Sequence, residues 1–161
     1  MQEHRLGHLL IVDDELELTT ALCEMLNKHG YQAVGFTSGQ AALKSLRENE
    51  FDILLTDMMM PEMDGIALMR AALQVDQNLV AFMMTGQGTV QTAVEAMKVG
   101  AFDYVLKPFN LQAMLPILNR GLEVRRLTGG DWNPLHWHWR EMLTVAQIAG
   151  HLPAHPASNT Y

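Results

Sequence analysis

The sequence predicts an α/β protein: a doubly wound, five-stranded parallel sheet, (β/α)5, of flavodoxin-like topology, with a short C-terminal extension. Short apolar runs alternate with segments of helical spacing up to about residue 127. The runs 9–12, 53–55 and 79–84 are almost wholly apolar, as in strands that are covered on both faces. Because each run leads into a helix, we expect right-handed crossovers and helices on both faces of the sheet.

The elements follow one another in a regular order. Gly30 and Gly100 stand where a helix commonly ends in a left-handed residue. Ser38, Asp64 and Asn110 are predicted to cap the helices that follow them. The predicted strands are 8–12, 31–36, 52–56, 79–84 and 102–106, and the predicted helices are 15–29, 40–48, 65–75, 89–99 and 111–127.

The C-terminal part of the chain differs in composition from the rest. The last predicted helix contains Pro116 and Gly121, and we expect a bend or a broken first turn there. After it, the chain holds all three tryptophans, four of the seven histidines and a single basic residue, Arg140. We therefore predict a domain at 1–127 and a Trp/His-rich tail at 128–161, which is too small for a core of its own. An amphipathic helix is predicted within the tail at 139–149.

Composition excludes several classes of protein. The single cysteine, Cys23, allows no disulfide within the chain and no thiolate metal cluster. A net charge of −7 argues against a large phosphate-binding surface, so we do not expect direct DNA binding. No apolar stretch is as long as a membrane span and the N-terminus lacks the pattern of a signal peptide. We expect a cytoplasmic protein without membrane contact.

Polar residues stand at the ends of four predicted strands. Asp13 and Asp14 follow the first, Asp57 the third, Thr85 the fourth and Lys107 the fifth. The carboxyl ends of these strands open into one crevice in a doubly wound sheet. Three carboxylates packed together repel one another, so the site predicts a hard divalent cation, Mg²⁺ or alternatively Mn²⁺. One carboxylate can then act as a nucleophile toward a phosphoryl group, with the amine and the hydroxyl binding its oxygens.

Four motifs resemble a known family. They are VDDE at 12–15, LLTDMMMPEMDG at 54–65, MMTGQG at 83–88 and GAFDYVLKPF at 100–109. Together they are similar to the CheY-like receiver domain of two-component response regulators, and the resemblance covers roughly residues 6–127. It implies that Asp57 accepts a phosphoryl group from a phosphohistidine on a sensor histidine kinase or a phosphotransfer protein. The chain would then be a signalling domain rather than an enzyme, although it assists its own phosphorylation and dephosphorylation.

The resemblance also implies how the metal is bound. Asp14 and Asp57 would ligate Mg²⁺ directly, together with the backbone carbonyl of Met59, and Asp13 would act largely through water. Met59 and Gln87 flank the path of the attacking water in the family. We expect slow self-dephosphorylation because Met59 is apolar where a polar residue would position water.

A conformational switch is a further implication of the resemblance. Thr85 and Lys107 would hold the phosphoryl oxygens, and the bond between Lys107 and Pro108 would be cis. Thr85 would move toward the phosphate while Tyr104 turns inward. A plain half-buried strand residue remains the alternative for Tyr104. The surface that would change comprises helix 89–99, strand 102–106 and helix 111–127. It would contact a partner or a second copy of the chain, and the tail is the alternative surface for a homodimer.

Two other classes of protein fit the sequence less well. A flavodoxin-like cofactor binder would need a Gly- or Ser-rich phosphate loop where Asp13 and Asp14 stand. An aspartyl phosphatase usually has a second acid two residues after the first, and here that residue is Met59. The alternative function is that of a receiver fragment of a longer transcriptional regulator or hybrid kinase. His136 and His138 are expected to be surface residues rather than metal ligands, because no acid or cysteine accompanies them at ligand spacing.

Overall fold

The computed structural model describes residues 6–86 and 90–127. Gln87 and the tail 128–161, with its predicted helix at 139–149, lie outside these residues. The elements in chain order are β1 (His8–Val12), α1 (Leu16–Lys28), β2 (Gln32–Phe36), α2 (Gly39–Glu48), β3 (Ile53–Asp57), α3 (Gly65–Val75), β4 (Val80–Thr85), α4 (Val90–Lys98), β5 (Asp103–Leu106) and α5 (Leu111–Leu127).

The five strands form one parallel sheet in the order β2-β1-β3-β4-β5. β1 lies inside the sheet with β2 on one side of it, and β3, β4 and β5 follow in order on its other side. This reversal is the topological switch point at which doubly wound sheets place their sites. The predicted fold class is confirmed.

Two apolar cores lie on the two faces of the sheet. One is formed by α1 and α5, with Leu22 and Leu118 among its fully buried residues. The other is formed by α2, α3 and α4, with Leu43 and Met69 among its buried members. The central strands β1, β3 and β4 contribute to both cores, which explains why their sequences are apolar at almost every position.

The helix ends explain where the strands begin. Gly30 has a φ of 96° and donates its N–H to the carbonyl of Asn27, while Tyr31 donates to that of Leu26. This pair of bonds closes α1 in a Schellman motif and uses the backbone of Tyr31, so β2 begins one residue later than predicted. Gly100, with a φ of 114°, ends α4 in the same way.

The predicted N-terminal caps are present. The side chain of Ser38 accepts from the backbone N–H of Ala41 at 3.2 Å. The carboxylate of Asp64 accepts from Ala67 at 2.8 Å, and Asn110 caps α5 in the same manner. Each cap satisfies a backbone donor that the first helical turn leaves without a partner.

The expected broken first turn of the last helix is wrong, whereas a bend at Pro116 stays a prediction. Helix α5 runs without interruption from Leu111 to Leu127, with Pro116 inside it. Gly121 serves close packing: a Cβ there would lie 2.7 Å from the Phe82 ring and 3.2 Å from a methyl of Val80. The glycine therefore lets α5 approach β4 closely. None of the described helices has the length and apolar character needed to cross a membrane.

Candidate functional site

The strand register brings the predicted site residues to one edge of the sheet. β3 and β4 each begin and end one residue later than predicted, so Asp57 and Thr85 are the last residues of their strands. Asp57 pairs with Met84 and Thr85 with Leu106. The backbone N–H of Lys107 donates to the carbonyl of Thr85 at 2.8 Å, which prolongs the β4–β5 ladder. The ladder thus carries Lys107 to the same edge as Asp57.

Three carboxylates converge at this edge. Oxygen atoms of Asp13, Asp14 and Asp57 all lie within 4.8 Å of one another. Asp13 and Asp57 are buried, whereas Asp14 is exposed. Oxygen ligands at this separation, with one open side, suit a small hard cation that keeps part of its water shell. The donor set therefore fits Mg²⁺.

Lys107 forms ion pairs with two of the three acids. Its ammonium lies 2.7 Å from Asp13 Oδ2 and 3.1 Å from Asp57 Oδ1. Burial alone would lower the pKa of Lys107, but the hydrogen bonds and charges of the two carboxylates outweigh burial and raise the pKa above its ordinary value. Lys107 therefore remains a cation at neutral pH.

The neutral form of the Asp57 carboxyl is more favourable in the protein than it would be in water. Burial raises the pKa of Asp57 above its ordinary value, the hydrogen bond from Lys107 lowers it, and the charge of Asp13 raises it again. The net direction is upward. Additional positive charge at the site would favour the ionised form of Asp57, which is the form that can act as a nucleophile.

Three hydrogen bonds hold the backbone and the carboxylate of Asp13 in place. Its N–H donates to the carbonyl of Phe36 at 3.1 Å, and its carbonyl accepts from the hydroxyl of Thr19 at 3.0 Å. Its Oδ1 accepts from the backbone N–H of Glu15 at 3.0 Å. These bonds leave Oδ2 directed at Lys107 and restrict the rotation of the carboxylate.

Gly65 supports the loop that follows Asp57, and sequence reasoning assigned it no role. Its N–H donates to the carbonyl of Met58 at 2.9 Å. A Cβ at this residue would lie 2.2 Å from the backbone oxygen of Asp57 and 2.8 Å from the sulfur of Met83. Helix α3 can therefore begin directly against Asp57 only with glycine here. The sequence signal was its place at the end of the LLTDMMMPEMDG motif.

The other predicted site and switch residues differ in how far they are exposed to solvent. Thr85 is buried at the end of β4, next to β3, and Tyr104 on β5 is 37% exposed. Met59 is 78% exposed, two residues after Asp57. The peptide bond between Lys107 and Pro108 is cis. A groove of about 390 Å³ lies between β5 and α5, lined by Tyr104, Leu106 and Ile117 among other residues.

The family model of the response regulator receiver domain matches residues 9–119. The chain therefore belongs to this family, whose members act in two-component signalling. Membership implies a histidine kinase as partner. Receiver domains generally bind Mg²⁺ at a cluster of acidic residues, and Asp13, Asp14 and Asp57 form such a cluster here.

Curated relatives are longer than this chain. The transcriptional regulatory protein ZraR of Salmonella typhimurium is 37% identical over 123 residues, which cover 76% of this chain and 28% of that protein. The regulatory protein AtoC of Escherichia coli is 33% identical over 145 residues, which cover 86% of this chain and 31% of that protein. The chain thus spans about a third or less of their length. ZraR is named as a transcriptional regulator. This name does not support our expectation that the chain does not bind DNA directly.

Solved structures share the fold. A receiver domain protein of Clostridium thermocellum superposes with a TM-score of 0.71 at 27% identity, covering 76% of this chain and 98% of that one. NtrX of Brucella abortus superposes with a TM-score of 0.72 at 26% identity, covering 76% of this chain and 28% of that one. The family and the fold are therefore established on independent grounds.

Proposed function

We propose that Asp57 is the phosphoacceptor of this receiver. The observation that carries the proposal is the contact of Lys107 with both Asp13 and Asp57 inside the three-carboxylate cluster. The carboxylate of Asp57 would attack the phosphorus of a phosphohistidine. A P–O bond forms to Asp57, and the P–N bond breaks with its electron pair returning to the imidazole.

The neighbouring residues take separate tasks in this proposal. Asp13, Asp14, Asp57 and the backbone carbonyl of Met59 would hold Mg²⁺, with Asp13 acting largely through water. The ion would neutralise charge on the phosphoryl oxygens. Lys107 would bind one of these oxygens as a compact cation. Its contact with Asp57 supports this role, because the ammonium already lies beside the carboxylate that would gain the phosphoryl group.

Thr85 and Tyr104 would carry the signal outward. We assign the Thr85 hydroxyl to a second phosphoryl oxygen and propose that Tyr104 turns inward when Thr85 moves. The partial exposure of Tyr104 beside the β5–α5 groove supports this assignment, because the ring has room to become more buried. The surface of α4, β5 and α5 would then contact a partner or a second copy of the chain.

The wider role belongs to the same proposal. The chain would act as a cytoplasmic phosphorylation switch that turns over no substrate other than its own aspartyl phosphate, with a receiver domain at 1–127 and an appended tail at 128–161. Family membership supports the signalling role and the compartment. As a second candidate, the receiver would control transcription, as the name of its relative ZraR suggests. Selection of genomic DNA fragments on the full chain, with and without beryllofluoride, would test that candidate.

The phosphoacceptor assignment has a direct test. The full chain is incubated with Mg²⁺ and acetyl phosphate, and intact mass is compared with that of Asp57→Ala. Glu62→Gln is the matched control, because Glu62 is an exposed acid in the loop after Asp57. We expect one base-labile phosphoryl group on the wild type and on Glu62→Gln, and none on Asp57→Ala. An unmodified wild type, or equal labelling of Asp57→Ala, would refute the assignment.

A further inference from the structure

Met59 differs from the other methionines near the site. Met58, Met60 and Met63, in the same loop, pack against the core on the α2–α4 face of the sheet. Met59 is 78% exposed, and the next most exposed described methionine, Met25 on α1, is 36% exposed. The fold therefore gains little packing from the Met59 side chain, and its thioether is open to small solutes.

We propose that Met59 is an oxidation site, at which hydrogen peroxide converts the thioether to a sulfoxide and thereby shortens the lifetime of the aspartyl phosphate. This rests on the proposed function of Asp57. A sulfur lone pair attacks one peroxide oxygen. The S–O bond forms, the O–O bond breaks, and the second oxygen leaves as water. The sulfur loses two electrons and the peroxide gains them.

Few described groups compete with Met59 for a limiting amount of oxidant. The methionines Met69, Met83, Met84 and Met114 are at most 1% exposed. Burial raises the pKa of the Cys23 thiol to about 11, so the reactive thiolate is scarce at neutral pH. Exposure and, for a thiol, thiolate character set the susceptibility of a sulfur to oxidation. Met59 is therefore the most susceptible of these sulfurs.

The change at Met59 would alter the mouth of the phosphorylation site. A thioether is a weak hydrogen-bond acceptor, whereas the sulfoxide oxygen is polar and accepts well. Asp57 is only 8% exposed, so few approaches are open to the water that hydrolyses its phosphate. A polar acceptor two residues away would help to hold that water. We expect hydrolysis to become roughly fivefold faster, the factor that one added hydrogen bond typically provides.

The experiment compares oxidised and untreated full chains. Wild type, Met59→Leu and Met25→Leu are each treated with substoichiometric hydrogen peroxide, mapped by peptide mass, phosphorylated with acetyl phosphate and followed through loss of the phosphoryl group. Treatment should oxidise Met59 ahead of Met25 and shorten the phosphate lifetime of the wild type and of Met25→Leu. The lifetime of Met59→Leu should not respond, and methionine sulfoxide reductase should restore the wild type.

The possible outcomes separate the two proposals. Oxidation of Met25 ahead of Met59, or an equal response of Met59→Leu and the wild type, would overturn the oxidation site. An unchanged lifetime after complete oxidation of Met59 would overturn its effect on hydrolysis. Failure of the untreated wild type to take up a phosphoryl group would instead refute the phosphoacceptor assignment, and with it the inference. As a positive variant, Met59→Gln should shorten the lifetime without any oxidant.

Discussion

Replacing Arg125 by glutamine should destabilise the fold without changing the chemistry at Asp57. Arg125 connects the end of α5 to the amino-terminal ends of the strands, opposite the edge where Asp57 lies. Its Nε lies 3.1 Å from Asp52 Oδ1, before β3, and its guanidinium lies 3.7 Å from Asp76 Oδ2, before β4. It also donates to the carbonyl of Asn78. One side chain therefore joins the last helix to the starts of two central strands.

The expected loss follows from burial and charge. The Arg125 side chain is 18% exposed, so its bonds are partly shielded from water, while Asp52 is 37% exposed. Hydrogen bonds to charged groups contribute about 1.5–3 kcal/mol, and the exposure of Asp52 moves the value toward the lower end, about 2 kcal/mol. For a chain of this size, such a loss lowers Tm by roughly 4–8 °C.

Arg126→Gln is the matched control. The Arg126 side chain is 67% exposed, and among the described residues it pairs with Glu123, three residues before it. Both substitutions remove one positive charge, but losing this surface pair should cost at most about 0.5 kcal/mol. Urea unfolding of the full chain, followed by circular dichroism, gives the midpoint for each variant. Equal losses in the two variants would refute the reasoning. Weakened beryllofluoride binding by Arg125→Gln would show that the two edges of the sheet are coupled.

Three further predictions follow from the structure. Gly65→Ala should cost about 1–3 kcal/mol by urea unfolding and weaken beryllofluoride binding, because its Cβ would meet the Asp57 backbone at 2.2 Å; wild-type behaviour in both assays would contradict this. The aspartyl phosphate should be long-lived with Mg²⁺ present because Met59 is apolar, and a lifetime of only seconds would count against that reason. At about pH 8, Cys23 should react with iodoacetamide roughly 100-fold more slowly in the folded than in the urea-unfolded chain, because burial raises its pKa from 9.0 to about 11. Similar rates in the two states would show that the thiol is not held in its protonated form.

Most of the fold could be predicted because its signals are local. Apolar runs mark strands that are covered on both faces, and helical spacing marks the segments between them. Glycine and short polar caps such as Gly30 and Ser38 mark the helix ends, and the structure has them in those roles. The errors were small and had physical causes. The sequence predicts Tyr31 as a strand residue because sequence cannot show that its N–H closes α1.

The order of residues along the chain is enough to predict the alternating strands and helices and the polar residues at four strand ends. Only the tertiary structure decided the contacts between distant segments: the approach of Lys107 to both Asp13 and Asp57, the close packing at Gly65 and Gly121, and the three-way attachment of Arg125. The reason is physical. Periodicity and capping depend on neighbours along the chain, whereas these contacts depend on strand register and on how closely a helix approaches the sheet.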